Sequence, residues 1–193
     1  MKRICVFAGS NSGARAEYVA GARELGRVLA ERGLGLVYGG GRVGLMGALA
    51  DEALSRGGHV IGVIPEALMA REVGHKGLSE LRVVKSMHER KAMMADLADG
   101  FVALPGGFGT VEEFFEVLTW AQLGLHRKPC ALLDIDGYYE PLLSFVEHSV
   151  GQGFVKPEYS AMISTSGSPA ELLDRMATYR APVVEKWIER SET

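Results

Sequence analysis

"FVALPGGFGTVEEFFEVLTW", residues 101–120, decides the fold of this chain. An apolar run ends at a proline, three glycines follow within four positions, and an acidic and aromatic segment of helical period comes next. A strand that passes through a glycine loop into a helix leaves the N–H groups of the first helical turn free, and such groups favour a phosphate. The other interpretation of this loop is a tight turn that binds nothing.

The same unit recurs along the chain. Segments of helical period cover 14–32, 43–57, 86–98, 110–125, 138–150 and the residues from Pro169 onward. Between them lie short apolar runs at 4–8, 34–38, 59–64, 81–84, 101–104, 130–135 and, most weakly, 161–166. Most of these runs are apolar throughout, which is typical of strands covered by helices on both faces. We predict a doubly wound α/β fold with a mostly parallel sheet, formed as one domain by residues 1–193.

Glycine is concentrated after the predicted strands. The chain has 25 glycines in 193 residues, above the roughly 7% of average proteins. They collect in "AGSNSG" after the first strand, "YGGGRVGLMG" after the second and "LPGGFGT" after the fifth. Such loops meet at the carboxyl edge of a parallel sheet, where open α/β sheets hold their ligand. We therefore predict phosphate or ribose loops that include Gly9, Ser10, Gly40 and Gly41.

Composition excludes several classes of partner. The net charge of −3 gives no basic field that would gather nucleic acid or an anionic membrane. About five apolar residues follow the opening "MKR", too few for a secretion signal or a membrane span, so we expect a cytoplasmic protein. Cys5 and Cys130 lie in apolar runs without metal-binding or redox spacing. We expect both to be inert core residues, and we expect no metal.

The helix predicted after the third loop starts at Thr110 and carries a group of carboxylates. Thr110 and Glu113 have the spacing of a capping box, in which the Glu113 carboxylate accepts the backbone N–H of the cap residue. On a helical wheel, however, Glu112, Glu116 and Thr119 share one face, with Glu113 at its side. The alternative to capping is therefore that Glu113 takes part in catalysis.

"SMHERKAMMADLADG", residues 86–100, contains an anomaly. On a helical wheel Arg90 falls in the middle of an apolar arc that includes Met87 and Met94, and Lys91 lies at the border of that arc. A guanidinium on an apolar face needs a carboxylate or phosphate partner, because an unpaired buried charge is costly. The alternative is a solvated basic pair whose aliphatic stems cover the surface. We predict a functional Arg90.

Three segments together resemble the LOG (Lonely Guy) family of cytokinin riboside 5′-monophosphate phosphoribohydrolases, long mislabelled as lysine decarboxylases. They are "YGGGRVGLMG", "SMHERKAMM" and "PGGFGTVEEFFEVLTWAQLGLHRKP". The resemblance covers about Ile4 to Val150. It implies a Rossmann-like fold, a homodimer and no cofactor. It also implies cleavage of the N-glycosidic bond of adenine-type nucleoside 5′-monophosphates to free base and ribose 5-phosphate.

The resemblance also implies roles for individual residues. Arg90 and Glu113 match the catalytic pair of the family. The positions that match its nucleotide-holding residues are Glu72, Lys91, Gly107, Phe108, Gly109, Thr110, Val111, Glu112 and Thr119. A prenyl tail would need only an apolar groove, which Met87, Met94, Phe108 and Trp120 could form, although each is equally explained as a core residue. In the implied mechanism the glycine loop fixes the 5′-phosphate, and Glu113 stabilises the ribosyl cation or activates water. Arg90 orients Glu113 or balances charge in the nucleotide.

Three other classes of protein stay open on the sequence. A non-catalytic nucleotide or cofactor carrier on the same fold would keep the glycine loops without needing Arg90 and Glu113 together. A pyridoxal-phosphate decarboxylase would need a Schiff-base lysine, an acidic partner for the pyridine nitrogen and usually a larger chain. An NAD(P) oxidoreductase depends on a GxGxxG pattern at Gly39, Gly41 and Gly44. The preferred base also stays open between adenine, a prenylated adenine and another base.

Overall fold

The computed structural model describes residues 1–69 and 74–182, and in it seven strands form one fully parallel sheet. Each strand lies on one of the predicted apolar runs, which confirms the α/β interpretation. The strands are β1 Arg3–Phe7, β2 Gly35–Tyr38, β3 Val60–Pro65, β4 Glu80–Val84, β5 Gly100–Ala103, β6 Cys130–Leu133 and β7 Ile163–Ser166.

Helices connect the strands. They are α1 Ala16–Glu31, α2 Gly44–Ser55, α3 Glu66–Met69, α4 Met87–Leu97, α5 Phe108–Gln122, α6 Glu140–Gly151, α7 Pro157–Ser160 and α8 Pro169–Thr178. The helices α3 and α7 have four residues each, too few to show helical periodicity, and the sequence did not predict them. In the described part of the chain, no helix is long and apolar enough to cross a membrane.

The order of the strands is β4-β3-β2-β1-β5-β6-β7. The chain first winds outward from β1 to β4 and then returns to the other side of β1 with β5, so the winding direction reverses at this pair. Cys5 of β1 lies opposite Phe101 of β5 in the register. The loops that leave β1 and β5 turn to opposite faces of the sheet, which opens a crevice between them at its carboxyl edge.

Two hydrophobic cores cover the two faces of the sheet. On one face α1, α2 and α8 contribute Leu29, Leu49 and Leu172 to the first core. On the other face α4 and α5 contribute Met94 and Phe114 to the second core. The doubly wound arrangement with helices on both faces is therefore confirmed. Cys5 and Cys130 are free and buried in the second core, as predicted.

The start of α5 differs from the sequence prediction. The helix begins at Phe108, with Gly107 at the N-cap and no side-chain capping bond. The predicted capping box of Thr110 and Glu113 is therefore wrong. Thr110 lies inside the first turn, and its side chain is buried against Gly106, where an added Cβ would meet Thr110 Oγ1 at 2.1 Å. The glycine at position 106 makes room for this threonine, and Glu113 is free for another role.

Candidate active site

A cleft of about 530 Å³ lies at the point where the winding of the sheet reverses. Its wall is formed by the loops after β1 and β5, by the start of α5 and by one side of α4. Backbone groups line much of it, because both loops are rich in glycine. Among the residues that the structure describes, the side chains that carry charge at its lining are Arg90, Glu112 and Glu113.

The three glycine loops interlock at Gly9. The N–H of Gly9 donates to the carbonyl of Pro105 at 3.1 Å, and the Gly9 carbonyl accepts from the N–H of Leu45 at 3.1 Å. Gly44 has a φ of +60°, and a Cβ there would lie 2.4 Å from the carbonyl carbon of Ser10. A side chain at this position would both strain the backbone and push the first loop away. The glycines thus set the width of the cleft.

Gly107 and Gly109 have a different explanation. A Cβ at either position would meet no atom of a packed neighbour within 4 Å among the described residues, so packing against them does not require glycine there. The N–H groups of Phe108, Gly109 and Thr110 lie in the first turn of α5, where no helical carbonyl is available to them. In the described part of the chain, no side-chain capping bond is present at this helix start. The helix start is therefore open to an anion, which can approach closely where the Cβ atoms are missing.

Arg90 is buried on α4, with 6% of its surface exposed, and it lines the cleft. Its Nη2 donates to the Gly39 carbonyl at 3.2 Å, and its Nη1 contacts Met87 Sδ at 3.8 Å. Its Nε is buried without a hydrogen-bond partner among the described residues. A buried guanidinium with a spare donor provides a binding point for an anionic or electron-rich group. The burial of Arg90 agrees with its predicted place on an apolar helix face, and its functional role stays a prediction.

Gly39 is required by the position of Arg90. A Cβ at residue 39 would lie 2.0 Å from Arg90 Nη2 and would clash with it. In the sequence, Gly39 stands out only as part of a dinucleotide-binding pattern. The structure instead gives it a direct contact with Arg90 through its carbonyl and through the space left by its missing side chain. No sequence pattern could have found this, because the contact joins α4 to the residue that directly follows β2, 51 positions earlier in the chain.

Glu113 is half-buried and lines the same cleft as Arg90. Burial raises the pKa of its carboxyl from 4.5 to about 7, Arg90 acts in the opposite direction, and Glu112 adds to the rise. A carboxyl with this pKa exchanges its proton near neutral pH, as a general acid or base must. Its neighbour Glu112 is exposed and bonds to Lys91 instead.

The structure brings some predicted site residues to the cleft and places others elsewhere. The cleft is lined by Gly9, Ser10, Met87, Arg90, Gly107, Phe108, Gly109, Thr110, Glu112 and Glu113. The residues that do not line it are Gly40, Gly41, Lys91, Val111 and Thr119. Glu72 lies outside the described residues. Among residues 1–69 and 74–182, no group of three or more His, Cys, Asp or Glu side chains has the arrangement of a metal site.

Two tyrosines at the start of α6 were missed by sequence reasoning. The hydroxyl of Tyr139 is buried and donates to the Leu104 carbonyl at 2.6 Å, and that of Tyr138 donates to the Gly106 carbonyl at 2.5 Å. Tyr138 also lines the cleft. The two side chains hold the loop after β5 by two of its carbonyl groups. The doubled tyrosine after β6 was the only available signal.

Comparison with known proteins identifies the family. Residues 46–176 match the family described as "possible lysine decarboxylase". Over 178 residues the chain is 51% identical to "Cytokinin riboside 5′-monophosphate phosphoribohydrolase LOG" of Oryza sativa subsp. japonica, covering 92% of this chain and 74% of that one. Over 179 residues it is 51% identical to the phosphoribohydrolase LOG7 of Arabidopsis thaliana, covering 92% and 82%. The fold and the cleft define an α/β protein with a site at its sheet switch point, and the chain belongs to the LOG family.

Solved structures show the same fold at lower sequence identity. The molybdenum cofactor carrier protein of Chlamydomonas reinhardtii aligns with a TM-score of 0.69 and 20% identity, covering 92% of this chain and 99% of that chain. The molybdenum cofactor binding protein of Rippkaea orientalis aligns with a TM-score of 0.66 and 23% identity, covering 92% and 99%. These likenesses show the fold alone and do not favour the carrier alternative.

The raised pKa of Glu113 predicts that this carboxylate costs stability. Below pH 4.5 the group is protonated in both states, so it costs nothing; as pH rises toward 7 the unfolded state loses its proton first and is favoured. Glu113→Gln should therefore raise Tm at pH 8 by at least about 2 °C, the shift that about 1 kcal/mol causes in a chain of this size. The measurement is thermal unfolding at pH 4 and pH 8.

The matched control is Glu147→Gln, an exposed glutamate on α6 that should leave Tm unchanged at both pH values. At pH 4 the Glu113→Gln and wild-type proteins should melt together. A lower Tm for Glu113→Gln at pH 8 would mean that the carboxylate stabilises the fold, and would remove the interpretation of Glu113 as a strained functional group.

Proposed function

We propose that the cleft hydrolyses the N-glycosidic bond of adenine-type nucleoside 5′-monophosphates, AMP or its cytokinin-type derivatives. Water adds to C1′ while the bond from C1′ to the base breaks, and the base leaves with the bonding electrons and takes up a proton. The products are the free base and ribose 5-phosphate. One observation carries the proposal: buried Arg90 and half-buried Glu113 share a cleft with the uncapped first turn of α5. Relatives of about 50% identity bear the name of this activity.

The start of α5 would hold the 5′-phosphate. Among residues 1–69 and 74–182, the lining of the cleft carries one cation, Arg90, beside two carboxylates, so the described charged side chains alone do not favour a dianion there. Binding must come from backbone N–H groups and from the positive end of the helix dipole. Gly107 and Gly109 leave the space for it. Such binding orients the ribose without entering the chemistry.

Glu113 lies in the same helix, about one turn beyond this phosphate position. As the base leaves, positive charge develops on the ribose ring, and a carboxylate beside it stabilises that charge or takes a proton from the attacking water. Arg90 holds its guanidinium at the same cleft with its Nε unsatisfied. It opposes the rise in the pKa of Glu113 and can balance negative charge on the reacting nucleotide.

Apolar side chains at the mouth of the cleft would receive the base. Phe108 is 97% exposed at the start of α5, Met87 is 42% exposed at the start of α4, and Leu68 also lines the cleft. Exposed apolar side chains around a polar cleft mark a place where an apolar part of a ligand binds. A purine ring, with or without a prenyl group, matches this surface.

The experiment that tests the proposal compares AMP with adenosine. Adenosine leaves the α5 helix start empty, so kcat/KM for AMP should exceed that for adenosine by at least about 100-fold. The released adenine and ribose 5-phosphate are separated by chromatography and quantified. A parallel assay with N6-isopentenyl-AMP compares its kcat/KM with that of AMP and so shows which base is preferred. Equal kcat/KM values for AMP and adenosine would contradict the proposal, as would inorganic phosphate in place of ribose 5-phosphate.

The control variant is Glu113→Gln, which keeps the shape and the phosphate position but lacks the charge. It should bind AMP with an affinity close to wild type and lose at least about 100-fold in kcat. Near wild-type turnover would assign the chemistry to another carboxylate of α5, with Glu112 or Glu116 the next to replace.

Gly39→Ala should lower turnover through Arg90. The added Cβ would displace the end of the Arg90 side chain, which is flexible, so the fold should remain while kcat falls at least about tenfold. In an Arg90→Ala background, Gly39→Ala should cause no further loss, because the group that it displaces is already absent. The measurement is kcat for the four proteins of this cycle, with Gly151→Ala, where a Cβ meets no atom, as control. Equal losses in both backgrounds would contradict the role of Gly39.

We also infer a cytoplasmic homodimer. A second cavity of about 620 Å³ lies between α4 and α5, lined by apolar Ala92 and Trp120 and by charges of both signs. When two copies of a surface that carries positive and negative side chains meet across a two-fold axis, each positive side chain can lie opposite a negative side chain of the other copy. Two-fold dimers are also the commonest oligomers. The free, buried Cys5 and Cys130 suit a reducing compartment.

Sedimentation should give twice the 20.8 kDa mass of one chain. Ala92→Glu places a charge within this cavity and should shift the protein to the monomer, because an unpaired charge at an interface is costly. Ala20→Glu, on the exposed side of α1, should leave the mass unchanged. A monomeric wild-type protein at assay concentration would overturn the dimer.

A further inference from the structure

The loop between β5 and α5 has a hydrogen-bond donor on each of its carbonyl groups. Four consecutive carbonyls, those of residues 104–107, accept hydrogen bonds from four different groups. The donors are, in chain order of the carbonyls, the hydroxyl of Tyr139 at 2.6 Å, the N–H of Gly9 at 3.1 Å, the hydroxyl of Tyr138 at 2.5 Å and the N–H of Val111 at 3.2 Å. Each carbonyl of the loop is therefore held in one direction by a contact.

The N–H groups of the same segment are the opposite case. Pro105 has no N–H, and the five N–H groups of residues 106–110 donate to no described residue. In a trans peptide the N–H points away from the preceding carbonyl, and the described chain has no cis peptide bond. The hydroxyl of Tyr138, by holding the Gly106 carbonyl, therefore directs the Gly107 N–H away from itself. A run of N–H groups without protein acceptors at a helix start favours an anion.

The peptide between Gly106 and Gly107 is a part of this loop that can rotate. Gly107 is exposed and has a φ of −88°. Rotation of the peptide by half a turn would give Gly107 a positive φ, which glycine adopts readily and other residues rarely. The rotated peptide would present the Gly106 carbonyl oxygen where the Gly107 N–H now lies. Because that oxygen carries negative partial charge, it would repel a phosphate.

The side chain of Tyr138 is placed to prevent this rotation. Its ring packs edge-on against the ring of Tyr18 on α1, with centroids 5.5 Å apart, and against the ring of Tyr139, with centroids 5.0 Å apart. These contacts hold the ring and with it the hydroxyl. The hydroxyl has one hydrogen, which it donates to the Gly106 carbonyl, so it cannot donate to a phosphate at the same time. In this arrangement Tyr138 lines the cleft without serving as a phosphate ligand.

We propose that Tyr138 is a positioning residue that gives the cleft its preference for phosphorylated ligands. Its hydroxyl holds the Gly106 carbonyl, so that the Gly107 N–H and the N–H groups after it stay available to the 5′-phosphate. The inference rests on the proposed function, in which the phosphate binds at the start of α5. It adds a residue that contacts neither the phosphate nor the reacting carbon. Binding of the phosphate and chemistry at C1′ should therefore respond differently to a change at Tyr138.

The test is Tyr138→Phe in the full-length protein, which keeps the ring and both aromatic contacts and removes only the hydroxyl. Tyr138 is 36% exposed, so the fold should remain, with Tm as the check. The Kd for ribose 5-phosphate, measured by titration calorimetry, should rise at least about fivefold, because the free loop then populates the rotated peptide. KM for AMP should rise by a similar factor while kcat stays within about twofold. Adenosine has no phosphate, so its kcat/KM should stay within about twofold.

Two further tyrosines supply matched controls. Tyr159→Phe removes a hydroxyl on α7 that does not line the cleft, and it should change none of these values. Tyr139→Phe leaves the buried Leu104 carbonyl without its donor, so Tm should fall by about 2–4 °C. Because that carbonyl lies two residues before the Gly106–Gly107 peptide, Tyr139→Phe should raise the Kd for ribose 5-phosphate less than Tyr138→Phe does.

A loss of affinity in Tyr138→Phe that is confined to phosphorylated ligands would support the proposal. An unchanged Kd for ribose 5-phosphate would overturn it, as would equal losses of kcat/KM for AMP and adenosine. A fall in kcat with KM unchanged would also overturn it, because the hydroxyl would then act in the chemistry. If Tyr139→Phe lost as much affinity as Tyr138→Phe, the assignment to the Gly106–Gly107 peptide would be wrong.

Failure of the proposed function can be told apart from failure of this inference, since binding of ribose 5-phosphate needs no turnover. If the wild-type protein releases no base from AMP or N6-isopentenyl-AMP, the function falls. A selective loss of affinity for ribose 5-phosphate in Tyr138→Phe would still support the role of Tyr138. A wild-type protein that does not bind ribose 5-phosphate would overturn that role whatever its activity.

Discussion

The reversal of winding between β1 and β5 is the constraint on which the rest of the molecule depends. Because β5 returns to the free side of β1, the two loops that follow these strands diverge, and the sheet cannot close the gap between them. Glycines fill the narrow points where the loops meet, as at Gly9 and Gly44, and two tyrosines tie the second loop down from α6. The helix that leaves β5 therefore starts at the cleft with its first turn uncapped.

The charged groups in this cleft lower the stability of the folded protein. Arg90 is buried with one donor unsatisfied, and Glu113 is half-buried with its pKa raised by that burial. Neither group stabilises the protein in this state, since a buried charge without full pairing is unfavourable. A cleft that holds a buried guanidinium with an unpaired Nε and a carboxyl of raised pKa is suited to a ligand that supplies partners for both groups. Stability is recovered elsewhere, in the two apolar cores that cover the sheet.

Much of the fold could be predicted from the sequence because each strand is a short apolar run and each long helix shows its own period. The buried Arg90 was predicted for a similar reason, since its place on the helical wheel of residues 86–98 conflicts with its charge. Contacts between distant segments could not be predicted. Two such contacts arise only when strands and helices pack together. They are the contact of Arg90 with Gly39 and the pairing of Lys91 with two carboxylates of α5. The start of α5 was placed two residues late, because a glycine N-cap leaves no polar side chain as a signal.

A crystal structure with ribose 5-phosphate bound would test the central claim most directly, because this product carries both the phosphate and the reacting carbon. The account predicts the phosphate within about 2.7–3.2 Å of the N–H groups of Phe108, Gly109 and Thr110. It also predicts that C1′ faces the Glu113 carboxyl, with Arg90 on the same side of the cleft. A phosphate bound outside the first turn of α5, or a ribose whose C1′ is turned away from Glu113, would contradict the account.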